Sequence, residues 1–209
     1  SWDPLADEYF DPFGGRADIG RRMLRMVDPA TFADDSLRVL RGIQFAARLE
    51  FDVDEPTRAL CRGIALDDLP AERVWGEVEK LLFARKPSIG FALAMDLQIV
   101  ANLWPELQAL SGCPQEPEWH PEGDVWVHNL QVIDQARTRI DDLPRPQQLA
   151  IMLGAVCHDL DKPATTNPSG EDGRGLPQGE AVNIEVRWTN RGARVRCPVE
   201  DLVLDREAK

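Results

Sequence analysis

The most regular hydrophobic pattern in the chain runs over residues 32–51, FADDSLRVLRGIQFAARLEF. At 100° per residue, Leu37, Leu40, Ile43 and Ala47 fall on one face, which predicts an amphipathic helix with a buried apolar stripe. Arg38, Arg41 and Arg48 fall on the opposite side, within an arc of roughly 80°. Asp34 and Asp35 stand just ahead of the stripe. Carboxylates there accept orphan backbone N–H groups and oppose the helix dipole, so they predict an acidic N-cap and first turn.

The flanking pattern is also helical. Residues 1–16 carry two Asp-Pro steps and a Gly-Gly pair, which read as a short extended segment with turns. A short helix is predicted over 18–27 and stopped by Asp28-Pro29. After the break at 52–56, residues 57–66 read as a helix. Pro70 opens an amphipathic helix running through Leu81, Leu82 and Phe83. Pro87 opens another, to about Leu97. Residues 113–122, CPQEPEWHPE, read as a Pro-rich linker. A further helix begins at 123–130, and the apolar run 149–156 leads into Cys157-His158-Asp159-Leu160-Asp161-Lys162-Pro163. Beyond residue 180 the helical period is lost. Alternation over 182–188 reads as a strand and 189–192 as a turn.

Composition sets the class. Of 209 residues, 43% are hydrophobic and 29% charged, as in ordinary soluble domains rather than disordered ones. No apolar run approaches a membrane span and the start is not a signal peptide, so a cytoplasmic location is expected. Cys61, Cys113, Cys157 and Cys197 are widely spaced without a C-x-x-C pair, which predicts reduced thiols rather than a structural zinc site. A formal net charge of −12 argues against broad, non-specific nucleic-acid binding, but leaves room for a local arginine stripe.

That stripe has two readings. Asp34 and Asp35 stand four and three residues before Arg38, an ordinary spacing for helix-surface ion pairs. Alternatively, the carboxylate and guanidinium serve a ligand. A carboxylate only accepts hydrogen bonds and a guanidinium only donates. Cytosine and adenine show an amino donor beside a ring-nitrogen acceptor on their pairing edge, and guanine and uracil show the reverse order. An Asp beside an Arg would therefore match C and A and repel G and U.

Asp34-Asp35-Ser36-Leu37-Arg38-Val39-Leu40-Arg41, followed by Phe45-Ala46-Ala47-Arg48-Leu49, resembles the nucleotide-reading helix of bacterial-type (class II) tRNA nucleotidyltransferases and poly(A) polymerases. The resemblance implies that Asp35 and Arg38 read the incoming base while Arg41 helps hold the nucleotide and Arg48 contacts RNA. It gives Asp34 a supporting place, together with Glu72, Arg73 and Glu77 of an E-R-x-x-x-E-like motif that braces the reading helix. Asp11-Pro12-Phe13-Gly14-Gly15 resembles the turn that closes the catalytic head of that family. The metal-binding carboxylates of the head, which would hold Mg2+, would lie upstream of Ser1, so a fragment lacking its head and inactive alone is expected. The implied partners are tRNA, CTP and ATP. These motifs do not separate CCA addition from poly(A) addition.

The three histidines, His120, His128 and His158, fall within 39 residues. His128, and His158-Asp159 at the end of an apolar run, resemble the metal ligands of HD-superfamily phosphohydrolases, a domain also found as the tail of many bacterial CCA-adding enzymes. His128, His158 and Asp159 are thus candidate ligands for a divalent metal that activates water against a phosphate ester. The likeness is incomplete. Asp161 stands where the family has Gly, and the step at 178–181 lacks its histidine, so weak metal binding is expected. The tail over 181–209 reads either as divergent or as the product of a frameshift. The chain is expected to be all-α: the end of a head and a connecting turn over 1–29, a helical neck and body over 30–112, a linker over 113–122 and a partial HD domain over 123–180, with an irregular or short-β tail. A stand-alone HD phosphohydrolase and an inert helical module for nucleotide or RNA contact are the alternatives.

Overall fold

A computed structural model describes residues 1–166 and two short strands at 187–189 and 192–194. The step at 178–181 and the origin of the tail lie outside the described residues. Contacts divide the chain into two compact units, Ser1–Gln98 and Ile99–Lys209. The fold is mostly helical, as the pattern predicts.

In the first unit, β1 (Trp2–Asp3) and β2 (Glu8–Tyr9) form a short antiparallel pair. Asp11 then closes the D-P-F-G-G turn, its carboxylate accepting the N–H groups of Gly15 at 2.8 Å and Arg16 at 2.9 Å. That turn launches α1 (Gly15–Arg21). The helix expected over 18–27 therefore starts three residues earlier and stops sooner. Arg22 takes a left-handed conformation, φ 55°, and β3 (Met23–Leu24) pairs in parallel with β4 (Asp52–Val53). Tertiary pairing has overridden local helical preference there.

Asp28 caps α2 (Pro29–Phe32), its side chain accepting from Ala30 N. α3 (Leu37–Leu49) buries Leu37, Leu40, Ile43 and Ala47, the predicted stripe, along with Val39, Gln44 and Ala46. Its start differs from expectation. Asp34 and Asp35 lie before the helix, Ser36 stands at the N-cap, and Asp35 Oδ1 accepts the N–H of Leu37 at 3.2 Å. The Ser36 hydroxyl donates to Asp68 at 2.8 Å, so the N-cap side chain is tied to a distant loop rather than to the first turn of α3.

Asp54 caps α4 (Glu55–Arg62), whose Arg58 and Arg62 both ion-pair with Asp96. α5 (Ala71–Leu82) and α6 (Pro87–Asp96) pack on α3 to form the core. Gly90 marks the closest approach. A Cβ there would stand 2.3 Å from Leu81 Cδ1, 3.0 Å from the Ile43 carbonyl oxygen and 3.1 Å from Ala47 Cβ.

The second unit begins with α7 (Ile99–Leu103) and α8 (Pro105–Gln108). α9 (Val125–Arg137) and α10 (Arg145–Cys157) pack together around Ile133 and Met152, both fully buried. Buried Asn129 donates from Nδ2 to the Val156 carbonyl at 3.0 Å, pinning α9 to the end of α10. α11 (Lys162–Thr165) follows, and β5 (Arg187–Thr189) pairs antiparallel with β6 (Gly192–Arg194). Among the described residues no helix is long and apolar enough to cross a membrane. Cys61, Cys113 and Cys157 are free thiols, the first two buried.

Candidate functional site

The start of α3 and the histidines of the second unit form two separate constellations. At the first, Asp35 is held by an element 38 residues away. Arg73, in the first turn of α5, donates from Nη2 to both Asp35 oxygens, at 3.1 and 3.0 Å. The hydrogen bond from Arg73 keeps the Asp35 carboxyl below its ordinary range, with the Arg38 charge adding to the effect. Arg38 itself does not bond to Asp35. Its Nη1 donates to the carbonyls of Thr31 and Phe32, wrapping the side chain over the end of α2. The ordinary (i, i+3) pair is absent because Asp35 precedes the helix and so is off its surface.

Arg38 and Arg41 both line an open cleft of about 290 Å3 whose walls include Met26, Phe32, Gly42 and Phe45. A cationic rim on an apolar, aromatic-edged cleft suits a flat heterocycle carrying phosphate. Arg48, exposed near the end of α3, and Asp34 and Asp35, which precede it, are not among the lining residues. Of the E-R-x-x-x-E residues, Arg73 reaches Asp35. Glu77 is buried and ion-paired with Lys80 at 2.8 Å, and Glu72 is exposed.

The second constellation lies where α9, the end of α10 and the loop before α9 meet. His128, His158 and Asp159 each offer a ligand atom, all within 4.8 Å of one another. His158 Nε2 stands 3.2 Å from Asp159 Oδ2, and Lys162 Nζ lies 2.9 Å from the same oxygen. Both His158 Nε2 and Asp159 Oδ2 are buried without an aligned hydrogen bond. Burial by itself would raise the Asp159 carboxyl, but His158 and Lys162 pull it down to about 2, so it is a carboxylate at neutral pH. Two imidazoles and a carboxylate with orphaned buried donor atoms fit a divalent cation of the borderline class.

A second group overlaps the first. His120, Glu122 and His128 also bring their ligand atoms within 4.8 Å. The Glu122 carboxyl is lowered to about 2 by its own backbone N–H and by the two imidazoles. Sequence reasoning passed over Glu122 because it carries no motif. The signal was its place two residues after one histidine and six before the next. The segment over 113–122 is folded against its surroundings: the Cys113 carbonyl accepts from Val125, and Asp124 caps α9 while accepting from Gly112 at 2.7 Å.

Comparison with known proteins bears on the family, not on the individual site residues. The family model described as "Probable RNA and SrmB- binding site of polymerase A" matches residues 49–110. The multifunctional CCA protein of Tolumonas auensis is 40% identical over 182 residues, 81% of this chain and 43% of that protein. That of Thioalkalivibrio sulfidiphilus is 43% identical over 192 residues, 86% and 45% of the respective chains. Among solved structures, the Thermotoga maritima CCA-adding enzyme complexed with tRNA is similar over 76% of this chain and 38% of that one, with 18% identity and a TM-score of 0.49. The chain belongs to the bacterial-type tRNA nucleotidyltransferase and poly(A) polymerase family. Within it, the resemblance is to multifunctional CCA proteins, and the chain spans less than half the length of these curated relatives.

Proposed function

We propose that residues 30–112 form the neck and body of a CCA-adding tRNA nucleotidyltransferase, reading the incoming base and contacting tRNA during addition of C and A from CTP and ATP to tRNA 3′ ends in the cytoplasm. The supporting observation is the pair of arginines, Arg38 and Arg41, on one cleft along α3, with Asp35, just ahead of the helix and off the cleft lining, held by Arg73. Both reading groups keep spare hydrogen-bonding capacity. The bonds Arg38 makes to Thr31 and Phe32 use Nη1, leaving donors on Nε and Nη2, and a carboxylate has room for more than the two hydrogens of Arg73. Arg38 would donate to the ring nitrogen of C or A, Asp35 would accept from the amino group, and Arg41 would hold the phosphates. Asp34, Glu72 and Glu77 support this helix, and Arg48 meets RNA. Residues 1–29 lead from a nucleotidyltransferase head, where Mg2+ would stabilise the charge of the transferring group.

The test is a chimera in which residues 30–112 replace the corresponding segment of a multifunctional CCA protein. Incubated with tRNA lacking its 3′ end, CTP and ATP, it should restore the CCA sequence. A folded chimera that binds tRNA but adds no nucleotide would contradict the assignment.

A second reading applies to residues 123–180, a partial HD domain reached through 113–122. The orphaned buried atoms of His158 and Asp159, close to His128, favour a divalent cation there and a metal-dependent phosphohydrolase activity. Such an ion would polarise a phosphate ester and activate water. His128, His158 and Asp159 would hold it, with Lys162 balancing the Asp159 charge. Elemental analysis after Zn2+ or Mn2+ loading, compared with His158→Ala, tests this reading.

A further inference from the structure

The two histidines of the cation site have their Nδ1 atoms occupied by different acceptors. His158 Nδ1 lies 2.9 Å from the Ala155 carbonyl oxygen, one turn back on α10. His128 Nδ1 lies 2.6 Å from Glu122 Oε1. A carbonyl and a carboxylate oxygen can only accept, so each ring carries a proton on Nδ1. A neutral imidazole protonated there presents its lone pair at Nε2, and His158 Nε2 is the buried atom facing Asp159. His120 adds a third constraint. Its Nδ1 lies 3.0 Å from the same Glu122 oxygen, and its ring packs edge-on against His128, with centroids 4.8 Å apart and planes at 82°. The His120–Glu122–His128 contacts are therefore satisfied as hydrogen bonds, whereas His158 Nε2, an acceptor in this tautomer, lies 3.2 Å from the Asp159 carboxylate, whose other neighbour is Lys162 Nζ at 2.9 Å.

We infer that Glu122 is the positioning residue of the His128–His158–Asp159 cation site: it accepts the hydrogen bond from Nδ1–H of His128, fixes that ring, and leaves Nε2 as the ligand atom. The inference rests on the metal reading above. His120 donates to the same Glu122 oxygen and is not a ligand. An anionic partner on Nδ1 also makes Nε2 a stronger donor, which a backbone carbonyl does less well. The chemistry favours a borderline divalent ion such as Zn2+ over Mg2+, because two of the three ligands are imidazoles.

The experiment uses the whole chain, with Zn2+ affinity by titration calorimetry and imidazole tautomers from 15N NMR of the metal-free protein. Glu122→Gln keeps the shape but removes the charge. It should weaken Zn2+ binding by about 10–100-fold and convert His128 from a single Nδ1–H tautomer to a mixture, with His158 unchanged. Wild-type protein that binds no Zn2+ would overturn the metal reading and this inference with it. Zn2+ binding lost in His158→Ala but unaltered in Glu122→Gln, with the His128 tautomer also unaltered, would overturn the inference alone. If His120→Ala abolished binding while His158→Ala preserved it, the ion would sit on His120, Glu122 and His128 themselves, and the positioning role would again be wrong. The tautomer signal separates positioning from general loss of structure, since an unfolded Glu122→Gln would shift all three histidines together.

Discussion

Arg73 illustrates what a single residue adds that its neighbourhood in sequence does not reveal. Asp35 and Arg38 have the spacing of a helical ion pair, yet Asp35 bonds to Arg73 and Arg38 to two carbonyls. Spacing rules hold only inside a helix, and α3 begins two residues after Asp35. Arg73→Ala should therefore release the Asp35 carboxyl upward toward its ordinary value, measurable by 13C NMR titration. The sign follows from the lowered carboxyl: the pair stabilises the fold above the ordinary Asp value and loses that contribution as pH falls through the lowered one. Both partners are partly exposed, so the stability cost should be small, while base preference in the longer enzyme should fall. A loss of preference absent from Arg73→Ala would show that the brace is only structural. Cys61 gives a second residue-scale test. Burial pushes its thiol up to about 11, so it stays protonated and should resist iodoacetamide at pH 8 until the protein unfolds. Rapid alkylation of native protein at Cys61 would contradict its placement in the core.

At the level of elements, α3 was legible because its apolar stripe is long and its burial one-sided; the bounds of α1 were not, because a left-handed Arg22 and the parallel β3–β4 pair depend on residues about thirty positions away. The loop over 113–122 was equally opaque, since prolines announce a break but not the contacts that hold His120 and Glu122 in place. Packing around α3 makes a paired prediction for two helical glycines. At Gly76 in α5 an added Cβ meets nothing within 4 Å, so Gly76→Ala should stabilise by about 1 kcal/mol through helix propensity. At Gly90 in α6 the same change drives a methyl to 3.0 Å from the Ile43 carbonyl oxygen, which cannot move without shifting α3. There overpacking should exceed the propensity gain, for a net loss of about 1–2 kcal/mol. Urea denaturation of the two variants reads both signs. A stabilised Gly90→Ala would mean that α3 and α6 are farther apart than described.

Across the whole molecule, the all-α class could be read from sequence, because helical periodicity dominates up to residue 156; of the strand expected over 182–188 only residues 187 and 188 are described, in β5, and the turn expected over 189–192 gives its end residues Thr189 and Gly192 to β5 and β6. The division at Gln98 and Ile99 could not, since Gln98 turns there in a left-handed conformation with no glycine, proline or composition change to mark it in the sequence. The acidic total charge confines any RNA contact to local cations, so binding should rest on a few arginines rather than on the surface at large. Arg48→Ala should accordingly weaken tRNA binding and make its salt dependence shallower by about one ion, leaving base choice untouched.

The proposed base-reading role of α3 is tested most directly by nucleotide preference in Arg38→Ala. In the chimera carrying residues 30–112, each of CTP, ATP, UTP and GTP is offered singly and kcat/KM for incorporation is measured. Loss of one good base contact is worth about 1–3 kcal/mol, so the preference for CTP and ATP over UTP and GTP should fall by roughly one to two orders of magnitude. An unchanged preference in a folded, tRNA-binding Arg38→Ala chimera would contradict it, and would leave Arg38 as no more than a clamp on the carbonyls of Thr31 and Phe32.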